Sequence, residues 1–126
     1  MMIPNIKAKA VSAGGCHLLI LDLNNNVWVC GGNKFGQLGL GDYNNRNIMT
    51  ILPNLKCKQI SAKADHSIII NLYGDIFIFG KIERHIDSNA QVLLYNIPTQ
   101  ISNFQAKEQA SAASGEKYSV IIGNYI

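Results

Sequence analysis

Short apolar runs bounded by turn-forming residues recur along the chain. Residues 17–22 and 27–30 are two such runs, and Leu23-Asn24-Asn25-Asn26 stands between them. Runs of four to six residues rich in Ile, Val and aromatics are typical of β-strands, and Asn tolerates the left-handed backbone of a tight turn. No stretch keeps a 3.6-residue apolar period for about ten residues, so the pattern predicts hairpins rather than helices.

The hairpin pattern occurs twice at a constant spacing. Residues 7–13, 17–21 and 27–31 have counterparts 49 positions later, at 56–62, 66–70 and 76–80. Gly74 also stands 49 positions after Asn25, and these two residue types share a tolerance of positive φ, as a turn requires. Residues 118–122 begin a third copy. We therefore place unit 1 at about 6–54, unit 2 at about 55–103 and a partial unit 3 at about 104–126.

The predicted strands are apolar on consecutive residues instead of alternating. A strand of this kind is buried on both faces, as in a sheet packed between neighbouring sheets. A unit of about 50 residues that buries both sheet faces against similar units is a propeller blade or a solenoid turn.

After its second hairpin strand, unit 1 continues at 31–42 with Gly-Gly-Asn-Lys-Phe-Gly-Gln-Leu-Gly-Leu-Gly-Asp. Together with Ala13-Gly14-Gly15-Cys16-His17, this segment resembles the repeat of the regulator of chromosome condensation family, with Cys30 in place of the usual Trp. The resemblance implies an all-β fold, an incomplete β-propeller of about two and a third four-stranded blades. In unit 2, residues 81–86 replace the Gly-rich block, while residues 95–98 resemble the family's Pro-containing link.

We interpret the Gly-rich block as scaffold. Its glycines suit positive φ and close backbone approach, Gln37 suits the buried backbone groups of a tight loop, and Leu38 and Leu40 suit the space between blades. A phosphate-binding loop would need a following Gly-Lys-Ser/Thr, which is absent. The predicted structural motif residues are Gly14, His17, Gly31, Asn33, Gly36, Gln37, Leu38, Gly39, Gly41, His66, Gly74 and Gly80.

The sequence predicts no catalytic residue, no cofactor and no metal site. His17 and His66 hold equivalent places, but the third place is Tyr118, and Tyr is a rare metal ligand. The three cysteines lack paired ligand spacing. A Cys–His nucleophile pair stays open as an alternative, because such partners meet in space rather than in sequence.

Partner contacts are expected in loops, which are the exposed and variable parts of such a scaffold. The segment 82–91 carries most weight, because charged residues there replace a scaffold loop; drift in a degenerate repeat is the alternative. The candidate contacts are Lys34, Tyr43, Arg46, Glu83, Arg84 and His85, with Lys63 and Asp65 in further predicted loops.

Composition narrows the classes of protein. With 126 residues, 48% hydrophobic and 15% charged, the chain is a single globular domain rather than a disordered one. The net charge of +3 is spread over the chain, which argues against a nucleic-acid partner, and no apolar run could span a membrane.

Unpaired cysteines indicate a reducing, intracellular compartment, cytoplasmic or nuclear. Abundant Asn and Ile suggest an AT-rich genome, such as that of a parasite or large virus.

The resemblance implies a ring of seven blades, which two and a third blades cannot close. We expect each terminal blade to leave one apolar face bare, a penalty on the order of 15 kcal/mol for roughly 600 Å² at about 25 cal/mol/Å². The chain would then form homo-oligomers, dock onto another propeller, or be a poorly folding remnant. The predicted function is a non-enzymatic protein-interaction module. The alternatives are a guanine-nucleotide exchange factor for a small GTPase and a non-functional repeat remnant.

Overall fold

Seven antiparallel β-strands follow one another in chain order, each hydrogen-bonded to the next. The structure, a computed structural model, describes residues 5–86 and 89–105, and the side chains of 5–83 and 91–101. The strands are β1 (Ala8–Ala13), β2 (His17–Asp22), β3 (Asn26–Gly31), β4 (Arg46–Lys63), β5 (His66–Asn71), β6 (Asp75–Ile86) and β7 (Asn89–Gln105). Among these described residues no helix is long and apolar enough to cross a membrane.

Strand β4 belongs to two sheets, which makes each sheet four-stranded. Its first part, residues 46–56, pairs with β3, and its second part, residues 57–63, pairs with β5. Just before the change of sheet, Asn54 has a φ of 61°, which bends the strand. We call β1–β3 with residues 46–56 blade 1, and residues 57–63 with β5–β7 blade 2. The predicted all-β architecture of four-stranded blades is thus confirmed for units 1 and 2.

The two blades repeat each other bond by bond at the spacing of 49. The Asp22 Oδ1 atom accepts hydrogen bonds from the backbone N–H groups two and four residues later, at 2.8 Å each. Asn71 Oδ1 does the same at 2.9 Å. The β1–β2 and β4–β5 registers also match, each with a bulge at the same place. Most of the predicted third unit, about 104–126 and including Tyr118, lies outside the described residues, which end at 105.

The main apolar cluster lies between the blades, where two sheet faces meet. Leu38, from the Gly-rich loop, is fully buried between them. Burying a Leu, Ile or Val side chain stabilises a fold by about 1.5–3 kcal/mol, so this interface is the main source of cohesion. Its strand residues include Leu19, Leu21, Val27 and Val29 from blade 1, and Ile60, Ile69 and Phe79 from blade 2.

The outer faces of the two blades differ in exposure. On blade 2 the side chains of Ile68, Ile70, Ile76 and Ile78 are at most 1% exposed, so the expectation of a bare apolar face is wrong for this cluster, whereas Val11 on the outer face of blade 1 is 61% exposed. Partly buried side chains pack on both outer clusters. Leu93, Tyr95 and Ile101 pack on the outer cluster of blade 2, and Ile6, Leu18 and Trp28 pack on the outer cluster of blade 1, Ile20, Cys30 and Met49.

Three strands are much longer than the predicted four to six residues. Strand β4 has 18 residues because it continues from one blade into the next. Strands β6 and β7 have 12 and 17 residues because they extend beyond Gly80 as a hairpin, with Lys81 opposite Leu94 and Ile86 opposite Asn89. Glu83, Arg84 and His85 therefore lie in a strand and not in the predicted loop, and Arg46 is the first residue of β4.

We expect Gly36→Ala to destabilise the fold far more than Gly41→Ala. Both residues have positive φ, 81° and 89°. A Cβ at Gly36 would lie 2.7 Å from the Cα of Asn96, whereas one at Gly41 would have Ile97 Cγ2 as its nearest neighbour, at 3.9 Å. We expect losses of about 2–5 kcal/mol for Gly36→Ala and about 1–2 kcal/mol for Gly41→Ala in urea unfolding. Equal losses would contradict the close packing of the loop on β7.

Candidate interaction surface

The Gly-rich loop between β3 and β4 is organised around the buried side chain of Asn33. The Asn33 Nδ2 atom donates to the carbonyl oxygens of Asp42 and Asn44, both at 3.0 Å, and Oδ1 accepts from the backbone N–H of Leu38 at 2.9 Å. One side chain thereby satisfies backbone groups at both ends of the loop. The motif glycines with positive φ are Gly31, Gly36, Gly39, Gly41, Gly74 and Gly80, while Gly14 lies against the His17 ring.

A polar chain of His17, Ser67 and Gln37 joins the two blades inside the protein. The Ser67 hydroxyl donates to the Gln37 carbonyl oxygen at 2.8 Å and lies 2.9 Å from His17 Nε2. A hydroxyl has one proton, so Nε2 must carry the hydrogen of the neutral ring and donate it to Ser67. The Gln37 side chain accepts from the Phe35 backbone N–H at 2.9 Å. These motif side chains therefore point into the scaffold.

The equivalent histidines differ in their surroundings. His17 is 4% exposed, and burial lowers its pKa to about 4. His66 is half-buried beside an open cleft of about 310 Å³, and burial lowers its pKa too. Lining this cleft with His66 are Lys63, Ala64, Asp65, Lys81, Ile82 and Glu83.

The described residues contain no group of three His, Cys, Asp or Glu side chains that could hold a metal ion. Cys16 is exposed, and its Sγ atom lies 3.5 Å from Gln37 Nε2. Cys30 and Cys57 are buried, and burial raises the pKa of Cys57 to about 12. Thiolate chemistry at Cys57 is therefore disfavoured near neutral pH.

The loop of unit 1 and the hairpin of unit 2 meet at Phe35. Lys34 Nζ lies 5.5 Å from the centre of the Phe35 ring, and Lys81 Nζ lies 5.0 Å from it. Lys81 Nζ is also 3.8 Å from a carboxylate oxygen of Glu83. Lys34 and Glu83, two predicted contacts that stand 49 positions apart in the chain, therefore lie on one continuous surface around Phe35. Sequence analysis did not identify Phe35 as part of this surface.

The hairpin adds two exposed apolar residues that sequence analysis missed. Val92 is 53% exposed and Leu94 is 46% exposed, opposite Glu83 and Lys81. Their spacing of two, with the half-buried Leu93 between them, is the signal that would have identified them. We call Lys34, Phe35, Lys81, Glu83, Val92 and Leu94 the hairpin surface.

The other predicted contacts are not part of the hairpin surface, or their side chains lie outside the described residues. Tyr43 is exposed on the Gly-rich loop. Arg46 makes an ion pair of 2.7 Å with Asp42, and the hydrogen bond from Arg46 lowers the pKa of Asp42. The side chains of Arg84 and His85 lie outside the described residues.

The fold is a partial β-propeller built from repeated four-stranded blades. Two family profiles, both described as "Regulator of chromosome condensation (RCC1) repeat", match residues 8–37 and 24–70. The chain belongs to this repeat family. Together the two matches cover β1–β4 and the Gly-rich loop, and they end within β5.

Known proteins and solved structures agree with this assignment. The chain is 48% identical over 42 residues to the human, rat and mouse proteins named probable E3 ubiquitin-protein ligase HERC4; the match covers 33% of this chain and 4% of those relatives. The crystal structure of human WBSCR16 matches with a TM-score of 0.65 and 25% identity, over 76% of this chain and 25% of that one. Prp20p from Saccharomyces cerevisiae, described with its binding to Gsp1p and histones, matches with a TM-score of 0.66 and 21% identity, over 82% and 27%.

We expect the stability of the protein to fall between pH 6.5 and pH 4 because of His17. The His17 pKa falls from 6.5 to about 4 on folding, so the unfolded chain binds the proton first as the pH is lowered. Above pH 6.5 the neutral His17 leaves the free energy of unfolding unchanged. Near pH 4, protonation of His17 in the unfolded chain lowers the free energy of unfolding by about 3 kcal/mol. Urea unfolding at several pH values measures it.

The control is His17→Gln, whose amide can still donate to Ser67 but does not titrate. Asp65 and His66 lie close to His17 and are present in both proteins, so the difference in slope isolates His17. An identical dependence on pH in the two proteins would contradict the assignment.

Proposed function

We propose that the chain is a non-enzymatic protein-interaction module that binds a partner protein through the hairpin surface. The observation that carries the proposal is that the two units differ in the segment that follows the hairpin. In unit 1 the motif side chains Asn33, Gln37 and Leu38 are buried in the scaffold. In unit 2 the Gly-rich block is replaced by a hairpin that presents Val92 and Leu94 beside charged groups.

The chemistry of the hairpin surface supports a protein partner. Interaction sites combine exposed apolar side chains with a polar rim, and here Val92 and Leu94 stand beside Lys81 and Glu83. Three cysteines without a disulfide suit a reducing compartment, so we place the function inside the cell, in the cytoplasm or nucleus.

Guanine-nucleotide exchange on a small GTPase is the alternative activity. Prp20p, a structural relative, is described with its binding to Gsp1p, but that likeness rests on 21% identity and extends to this chain as fold alone. The chain covers about a quarter of such structures. Release of a fluorescent guanine nucleotide from a purified GTPase, with and without the chain, distinguishes the two functions.

A photo-crosslinking amino acid at Val92 is expected to capture a specific partner from extracts of the source cells. The same amino acid at Ile48, which is 64% exposed on the outer edge of blade 1, is the matched control. Combined Val92→Asp and Leu94→Asp should weaken retention of the captured protein at least about tenfold, because the two changes would bury unpaired carboxylates in the contact. Equal capture from the two positions, or accelerated nucleotide release, would overturn the proposal.

We also propose that the outer face of blade 1 docks against another blade, in a second copy or in another propeller. Val11 is 61% exposed, whereas Ile60, at the equivalent place 49 residues later, is 8% exposed beneath blade 1. The difference between these two exposed fractions shows how much of a side chain at this position a neighbouring blade covers.

Light scattering tests self-association through this face. We expect a molar mass above that of the 13.8 kDa chain, and a return to the single-chain mass in Val11→Asp. Ile48→Asp serves as the control for a charge placed on exposed apolar surface. A single-chain mass for the unaltered protein would exclude the second copy as the occupant.

A further inference from the structure

A Lys-X-Lys pattern opens both units, and neither the scaffold nor the hairpin surface uses it. Lys7 and Lys9 precede or begin β1, and Lys56 and Lys58 stand at the equivalent places 49 residues later. All four side chains are exposed. A charged pattern that is repeated in both units and stays exposed invites a functional explanation.

The structure brings Lys9 and Lys56 together at the β2–β3 turn, and Lys7 and Lys58 lie two residues from them along the chain. The Lys7 carbonyl oxygen accepts from the backbone N–H of Leu23 at 2.9 Å, and Lys9 Nζ donates to Asn25 Oδ1. From the other side, Lys56 Nζ donates to Asn26 Oδ1 at 2.6 Å. Lysines far apart in sequence thus converge on one turn.

The β5–β6 turn extends the same surface. The backbone N–H of Leu72 donates to the Lys56 carbonyl oxygen at 3.1 Å, so this turn lies directly beside the first. Leu23 and Leu72 hold equivalent places and are 58% and 46% exposed, and Tyr73 is 87% exposed. We call this cluster of four lysines and three apolar residues the turn-end surface.

Negative charge does not neutralise the turn-end surface. Asp22 is turned inward, where its carboxylate accepts from Trp28 Nε1 at 2.9 Å and from backbone N–H groups. Asp75 lies 3.4 Å from Asn71 Nδ2. No described carboxylate makes an ion pair with the four lysines; Arg46–Asp42 and Lys81–Glu83 lie at the opposite end of the blades.

We propose that the turn-end surface binds an extended, acidic polypeptide segment that carries apolar side chains. Its cations are all lysines, which attract carboxylates as point charges, and the neighbouring apolar side chains favour a polypeptide as the source of those carboxylates. Aliphatic Leu23 and Leu72 offer contacts to apolar side chains and none to a sugar–phosphate backbone. Stacked sheets lie about 10 Å apart, which is close to one three-residue turn of a polyproline II chain, so an acidic residue at every third position of such a chain would face both Lys-X-Lys pairs.

The inference is independent of the hairpin surface, and its test uses a defined probe. The probe is a fluorescein-labelled peptide of repeated Glu-Leu-Ser, with repeated Gln-Leu-Ser as the uncharged comparison, and binding is followed by fluorescence anisotropy. We expect salt-sensitive binding of the acidic peptide. Replacing the four lysines by Gln should weaken it at least about tenfold, with the urea midpoint unchanged because the side chains are exposed.

A matched pair of single variants locates the site. Lys58→Gln and Lys63→Gln change the same charge at opposite ends of one strand, and only Lys58→Gln should weaken binding, by about twofold to fivefold. Leu72→Ser with Tyr73→Ser should weaken the acidic peptide without removing charge.

Three results would overturn the inference: unchanged affinity in the fourfold variant, equal effects of Lys58→Gln and Lys63→Gln, or tighter binding of a single-stranded oligonucleotide than of the peptide. Crosslinking from Val92 is measured in the fourfold variant as well. If Val92 still captures a partner in the fourfold variant while neither the unaltered protein nor any variant binds the peptide, this inference is wrong and the proposal for the hairpin surface is unaffected.

Discussion

Every part of this structure depends on the fact that each sheet is apolar on both faces. A sheet of this kind is stable only when something covers both sides, and here each blade supplies one cover for the other. Leu19 and Val29 face Ile69 and Phe79 across the interface, with Leu38 inserted from the Gly-rich loop. The loop is thus part of the packing between blades and not an appendage of one blade.

Polar contacts set the alignment of the blades, which apolar contacts alone would leave loosely defined. The Ser67 hydroxyl joins His17 of blade 1 to the Gln37 carbonyl group, and the Ser12 hydroxyl accepts from the backbone N–H of Ala62 at 2.8 Å. Both contacts cross between blades at nearly the repeat spacing. Buried hydrogen bonds of this type are directional, and a displaced blade would leave their groups unsatisfied.

The two proposed surfaces stand in different relations to the repeat. Where unit 1 closes its blade with the Gly-rich loop, unit 2 extends two strands into a hairpin, and the hairpin reaches the loop through Lys81 and Phe35. At the opposite end, the pattern is kept but serves no packing role, since Lys9 and Lys58 are exposed. The two proposed surfaces therefore lie at opposite ends of the same strands and can be tested separately.

Periodicity in the sequence determined most of the local structure. The spacing of 49 placed both hairpins and the turn at Gly74, because strand and turn preferences are local and repeat with the residues that carry them. Tertiary structure alone decided the length of β4, β6 and β7, because pairing with a distant strand sets where a strand ends. It also decided which residues share a surface. Phe35 and Lys81 meet only when the blades stack, and Lys9 and Lys56 meet only when the first blade closes around its β2–β3 turn. No local signal records either contact.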